Sequence, residues 1–466
     1  MIADLKPYAQ YKEFQAPWLT EIPAHWQTIP GFAAFRENQI KNVGMTEKQV
    51  LSLSYGRIIT KSAEKLHGLV PESFETYQIV NPGDIIIRGT DLQNDHTSLR
   101  VGLVRNRGII TSAYICLQTM AQVVQEYGYQ LLHALDMTKV FYGLGSGLRQ
   151  NLSFLDFKRL PLFMPPPDEQ TAIVRFLDHA NRRLERAIRA KRKVIALLNE
   201  QKQAIIHRAV TRGLDPTVPL KPSGIPWLGD IPQHWEVTAL RRYWRVTDCK
   251  HLTVPFIDDG IPLASVVEVQ PFSLNLSRCK RTKPDWYRLL IEGDRKPKRG
   301  DLIYCRNASV GACALVETDV DFAMGQDVCL IRSRSQNQRF LNYLLHSPFM
   351  DHQLELLLVG STFKRINISD IKALSALVPP RHEQDAICKF LDSGLVAYDT
   401  ATTRLEREIE LLREYRTRLI ADVVTGKLDV REAVRHLPEE TEELEASPEP
   451  DADDTEELEP LSTENA

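Results

Sequence analysis

The chain has 466 residues, 43% of them apolar and 8% aromatic, which is too long for one ordinary core and suits two domains of roughly 165 residues plus connecting elements. It contains no run of about 18 apolar residues and no charged-then-apolar leader, so neither a membrane span nor a signal peptide is expected. Seven cysteines form no C-x-x-C pair, which argues against a zinc knuckle or a disulfide framework and for a reducing, cytoplasmic setting. The net charge of −3 conceals a strong asymmetry: Leu437 to Ala466 holds thirteen Asp and Glu and no Lys or Arg, leaving 58 basic against 48 acidic residues elsewhere. A body ten charges positive suits a polyanionic partner, most simply nucleic acid.

In chain order, the first signal is Pro17 to Trp26 (PWLTEIPAHW), which returns as Pro226 to Trp235 (PWLGDIPQHW) with seven of ten residues identical. The His-Trp pairs His25-Trp26 and His234-Trp235 are read as aromatic anchors tying each domain to a scaffold, in preference to catalytic histidines. Short β-rich runs follow in Asp84 to Arg88 and Ile109 to Thr111, with a helix over Gln122 to Leu135. Asp301 to Tyr304 and Gln338 to Leu358 play the same parts in the second half. Pro82-Gly83-Asp84 and Arg299-Gly300-Asp301 look like equivalent turns into equivalent strands.

The strongest signal closes each half. Pro165 to Asp178 (PPPDEQTAIVRFLD) returns 214 positions later as Pro379 to Asp392 (PPRHEQDAICKFLD), nine of fourteen residues being identical. After it, Ile173, Leu177, Ala180, Leu184, Ala187, Lys191, Val194, Leu198, Gln201 and Ile205 step by alternating fours and threes, and adding 214 to each keeps the phase. A 3.5-residue repeat of this kind predicts a coiled-coil seam. Pro165-Pro166-Pro167 and Asp168 start the first helix, and Gly213 and Pro216 stop it, as Gly426 stops the second. Each helix should cover roughly 45 residues, about 65 Å. The two are expected to pair with each other more than with their own domains. The basic cluster Arg182, Arg183, Arg186, Arg189, Lys191, Arg192 and Lys193 reads as a solvated face, with direct DNA contact as the alternative.

Motifs of self-contained chemistry are missing. The sequence has no G-x-x-x-x-G-K-[ST] phosphate loop, no amino-methyltransferase Asn-Pro-Pro-aromatic motif, no paired histidines on a helix and no clear metal-binding carboxylates. Gly143 to Gly147 lacks the strand, helix and downstream acid of a dinucleotide site, so it reads as a loop. Two other loops are more suggestive: Gly145 to Asn151 before the first helix and Gly360 to Asn367 before the second. Small residues there permit close backbone approach, while a cation with amides suits phosphate or base edges, although a plain solvent-exposed turn is the other reading. The DNA-binding residues chosen on this basis are Arg88, Ser146, Arg149, Ser361, Lys364 and Arg365, with no catalytic and no metal residue.

Taken together, the doubled P-W-L-x-x-I-P-x-H-W opening, the G-D strand entry, the G-S loop followed by a cation, and the doubled P-P-x-x-E-Q helix start ending in V-T-x-x-L-D resemble the specificity subunit of type I restriction–modification systems. The resemblance covers nearly the whole chain up to about Val430. It implies an α+β fold: two mixed α/β target-recognition domains separated by two long helices that form an antiparallel coiled coil, a pseudo-twofold internal repeat. The expected divisions are a first recognition domain at 1–164, the first conserved helix at 165–215, a second recognition domain at 216–378 and the second helix at 379–430. An acidic, disordered tail at 431–466 lies outside the family pattern. The resemblance further implies a non-catalytic subunit reading a bipartite, asymmetric target in double-stranded DNA. Two methyltransferase subunits and restriction subunits would be its partners, carrying S-adenosylmethionine, ATP and Mg that this chain does not bind. Two readings compete with it: a single-chain nuclease or methylase, and a coiled-coil nucleic-acid or protein-binding adaptor outside restriction–modification.

Overall fold

A computed structural model describes residues 5–61, 73–93, 99–144, 151–358 and 365–438. The chain divides into two compact units that interleave the sequence: residues 1–189 with 409–466, and residues 190–408. The first long helix, Pro167–Arg212, and the second, Arg381–Gly394 continuing as Val396–Val424, each contribute to both units.

Both units use the same sheet plan. In the first, an antiparallel four-stranded sheet runs Phe35–Glu37, Ile115–Thr119, Ile85–Ile87, Val101–Leu103. In the second it runs Arg245–Asp248, Val328–Arg332, Leu302–Cys305, Cys313–Leu315. The central strands Ile85–Ile87 and Leu302–Cys305 are buried along their whole length, which is why they read as unbroken apolar runs. The two predicted turns match bond for bond. Gly83 and Gly300 take φ +91° and +90°, donate to Val104 O (2.9 Å) and Val316 O (2.8 Å), and the following Asp84 and Asp301 carbonyls each accept at 2.8 Å. A left-handed backbone at that point selects glycine. The predicted helices appear as Gln125–Met137 in the first unit, and as Gln338–Leu345 and Pro348–Leu358 in the second, the latter pair interrupted just before Pro348 because proline cannot continue a helix interior.

The long helices pair antiparallel within each unit. In the first, Ile173, Phe176, Leu177 and Ala180 share a core with Leu419, Ile420, Val423 and Val424, and Arg416 meets Glu185 at 3.6 Å. In the second, Ile206, Ala209 and Val210 share a core with Ile387, Cys388, Leu391 and Leu395, and Lys191 bonds Glu408 at 2.5 Å while Lys202 bonds Asp399. The seam keeps the expected residues at its ends and slips by one position between them. Ile188, not Ala187, is buried, and Val194 is 44% exposed. The inward positions 173, 177, 180, 184, 188, 191, 195, 198, 202, 206 and 209 make ten steps over 36 residues, the 3.6 period of a straight α-helix, not the 3.5 of a supercoil.

Candidate nucleic-acid interface

The P-P-x-x-E-Q motif is a clamp, and each of its two polar residues holds a different element. Glu169, 5% exposed, accepts from Trp26 Nε1 (2.9 Å) and Tyr8 Oη (2.5 Å) and sits 2.7 Å from His25 Nε2. Glu383 likewise accepts from Trp235 Nε1 (2.9 Å) and meets His234 Nε2 at 2.5 Å. Gln170 and Gln384, both fully buried, accept from the backbone N–H of Val124 and of Asn337, each at 2.8 Å. They thereby fix the start of the helix beyond. The two His-Trp pairs are therefore anchors of the domain entry, consistent with their sequence reading. Behind Trp26 sits Gly426 and behind Trp235 sits Gly213, both with left-handed φ, and an added Cβ would lie 3.0 and 3.3 Å from the indole rings. Each unit is thus closed by the V-T-x-x-L-D end of the long helix that enters from the other half of the sequence.

This frame presents the end of the central strand. In the first unit Leu152 N–H bonds Gly89 O at 2.7 Å, and in the second Ile366 N–H bonds Arg306 O at 2.9 Å. Ser153 and Asn367, again 214 apart, then head capping boxes closed by Asp156 and Asp370. An added Cβ on Gly89 would fall 2.3 Å from Leu152 O, so only glycine admits that approach. Immediately after the strands, Asp91 (φ 56°) and Ala308 (φ 55°) occupy the left-handed region, joined in the second unit by His251 and Asp327. Non-glycine residues hold this conformation only where their surroundings enforce it.

Two buried arginines that sequence reasoning missed brace these strand ends. Arg100, with no exposure, donates to the carbonyls of Arg88 (3.1 Å), Thr90 (2.7 Å) and Asp91 (3.1 Å) and to Tyr142 Oη. Arg306, 5% exposed, donates to Asp248 and to Ile366 O. The only sequence signal was a cation set beside strand residues in Leu99-Arg100-Val101 and Cys305-Arg306. Asp248, Cys249 and His251 also cluster closely enough to ligate a cation. However, the Asp248 carboxylate is taken by Arg306 and by His251 at 2.9 Å, and burial pushes the Cys249 thiol upward. The trio therefore belongs to the loop framework.

Of the residues chosen from sequence, Arg88 ends the first central strand, where its backbone N–H donates to Arg100 O at 2.8 Å. Arg365 stands just before Ile366, as Asn151 stands just before Leu152; it is half exposed and 3.3 Å from Asp327, which also accepts from Asn307 Nδ2. Ser146, Arg149, Ser361 and Lys364 lie outside the described residues. The strand ends thus carry Thr90, Asp91 and Asn151 in one unit and Asn307, Ala308 and Arg365 in the other: one frame with different side chains. No helix among the described residues is long and apolar enough to cross a membrane.

Comparison with known proteins agrees with this architecture. Residues 291–411 match the type I restriction modification DNA specificity domain. The chain is 22% identical over 367 residues, 76% of its length and 81% of the relative's, to the type I restriction enzyme MjaVIII specificity subunit of Methanocaldococcus jannaschii. Among solved structures, it resembles a chain from a study of complex assembly and conformational transition in the type I restriction–modification system. That match has TM-score 0.60 and 15% identity, and covers 87% of this chain and 99% of the other. A specificity subunit from Thermoanaerobacter tengcongensis matches with TM-score 0.42 and 14% identity, over 87% and 98%. Residues 291–411 thus match a type I restriction modification DNA specificity domain, and the chain as a whole is similar to a type I specificity subunit in sequence and to a chain of a type I restriction–modification system in fold.

Proposed function

We propose that the two strand-end clusters, with the adjoining loops 145–151 and 360–367, each read one half of a bipartite, asymmetric DNA target. The observation that carries this reading is the twofold use of one frame with unlike tips. Matching clamps and turns, with a buried arginine at a different place in each unit, support Thr90, Asp91 and Asn151 in one unit and Asn307, Ala308 and Arg365 in the other. Guanidinium and amide groups offer the donors and acceptors that base edges and phosphates need. Arg88, Ser146, Arg149, Ser361, Lys364 and Arg365 remain the proposed contacts. The chain itself performs no chemistry in this reading. Methyltransferase subunits supply S-adenosylmethionine, and restriction subunits, where present, supply an ATP- and Mg-dependent motor.

Exchanging residues 1–164 for the corresponding domain of a relative, in cells that carry the methyltransferase subunit, tests the reading. Sequencing of methylated sites should show one half of the motif changed and the other retained. Loss or change of both halves together would mean that the units do not read independently. Methylation by the purified chain alone would overturn the non-catalytic assignment.

A further inference from the structure

The recognition fold leaves one strongly charged face of the first unit without a role. Along the first long helix, Arg175, His179, Arg182, Arg186 and Arg189 follow one another by steps of four, three, four and three, which places all five on one narrow stripe about 21 Å long. Arg183 flanks it. Arg182, Arg183 and Arg186 are exposed. Among the described residues no carboxylate comes within ion-pair distance of any of these three, the nearby Glu185 being engaged by Arg189 and Arg416. The crowding of like charge registers on His179, whose imidazole is held below its ordinary range first by burial and then by Arg183, Arg186, Arg182 and Arg175. A solvated helix face in an ordinary protein intersperses acids along such a row. This one does not.

The chain also delivers an occupant to the stripe. After the second long helix, Val430 and Leu437 are buried in the first unit, and Arg175 Nη2 donates to Pro438 O at 3.1 Å. Residues 439–466 therefore start at the first arginine of the row. They contain all thirteen of the acidic residues counted from Leu437 onward and no lysine or arginine. Extended, 28 residues reach up to about 90 Å, several times the stripe. Tethering raises the effective concentration of so charged a segment to roughly the millimolar range.

We propose that residues 439–466 dock along the Arg175–Arg189 stripe as an intramolecular polyanion, occupying a surface that would otherwise take nucleic-acid phosphates. The contact is electrostatic and fuzzy, needs no fixed side-chain pairing, and opens with salt. It rests on charge placement alone and does not depend on how the recognition loops read bases.

A double-variant cycle on the full chain separates docking from simple repulsion of DNA by a negative tail. The readout is binding of an arbitrary 30-base-pair duplex at about 50 mM salt, with and without residues 439–466, in the native helix and in Arg182→Glu/Arg183→Glu/Arg186→Glu. Docking predicts that tail removal tightens binding by roughly tenfold in the native helix and by less than twofold in the reversed helix. Equal tightening in both backgrounds would show repulsion only and overturn the proposal. A second measurement covers the case in which the reversed helix is perturbed. Cleavage of the tail by a glutamate-specific protease should be several-fold slower in the native chain than in an Arg182→Gln/Arg186→Gln chain at low salt, with the difference gone at 0.5 M. Identical cleavage at both salts would mean that the tail leaves the stripe free.

Discussion

Glu169 and Glu383 hold corresponding tryptophans at the same 2.9 Å in unequal surroundings. Glu169 is 5% exposed with three side-chain partners, whereas Glu383 is 29% exposed and lacks the tyrosine. Removing a carboxylate that satisfies buried donors leaves those donors unpaired, and the cost grows with burial. Glu169→Ala should therefore destabilise the protein by about 3 kcal/mol and Glu383→Ala by about 1 kcal/mol. Denaturant titration followed by tryptophan fluorescence would measure both. Equal costs would show that burial does not set the worth of the clamp. At this scale the sequence disclosed the repeated letters but not their partners. Glu and His-Trp stand more than 140 positions apart, and nothing local joins them. Arg100 and Arg306 were harder still, because a cation at a strand end ordinarily signals a surface position, and only the folded carbonyls around it reveal a structural cation.

Among elements, the helix Gln338–Leu345 ends on a histidine whose protonation the fold resists. His346 stacks on Phe272 at 4.0 Å, keeps Nδ1 2.8 Å from Asn342 O and accepts the Cys313 N–H at Nε2. Burial pushes its imidazole down to about 4. In the unfolded chain the same group titrates near 6.5, so the unfolded state binds the extra proton first as pH falls. Stability from this residue is present above pH 6.5 and declines towards pH 4, by at most about 3 kcal/mol. Denaturation midpoints measured from pH 7.5 to 4.5 should fall for the native chain and fall less for His346→Asn. Parallel curves would remove His346 as the cause. The same scale shows where periodicity misled. The apolar letters of the long helices fit 3.5 and 3.6 equally well at the ends, where Ile173, Leu177, Ile387 and Leu391 are all fully buried or nearly so. Between those ends, Lys191 and Lys202 occupy inward positions and meet Glu408 and Asp399, so the hydrophobic pattern carried no register. Strands, turns and helix starts were legible because glycine, proline and a period of two are local signals. Pairing of the strands depended on long-range contacts and was not.

For the whole molecule, the decisive fact is that the first compact unit is not a continuous stretch of sequence and that each unit takes its closing piece from beyond its own half of the repeat. Residues 1–189 are completed by 409–438, where Lys6 bridges Asp429 and Tyr11 Oη donates to Gly426 O at 3.2 Å. Residues 216–378 are completed from the opposite direction, by 190–212. The sequence repeat announced two halves. It could not announce that each half donates its closing piece to the other, since V-T-x-x-L-D reads identically whichever tryptophan it covers.

That exchange carries a consequence for a severed chain. A fragment ending at Asp215 keeps the first anchor, sheet and clamp and also keeps a closing piece, but it is the copy that covers the other unit's tryptophan. Folded alone, the fragment would leave the Trp26 indole uncovered and its own Val210-Thr211 terminus with nothing to cap. Two such fragments solve both problems at once, each lending its helix end to the other, as a head-to-tail swap between identical subunits allows. Residues 1–215 should therefore sediment as a dimer in analytical ultracentrifugation, and Gly213→Val, which crowds the indole it would now face, should shift it towards monomer. A monomer with a buried tryptophan spectrum would refute the swap. A homodimer of this kind would present two identical tips, whereas one chain carrying both halves lets the two tips differ, as Asn151 and Arg365 do.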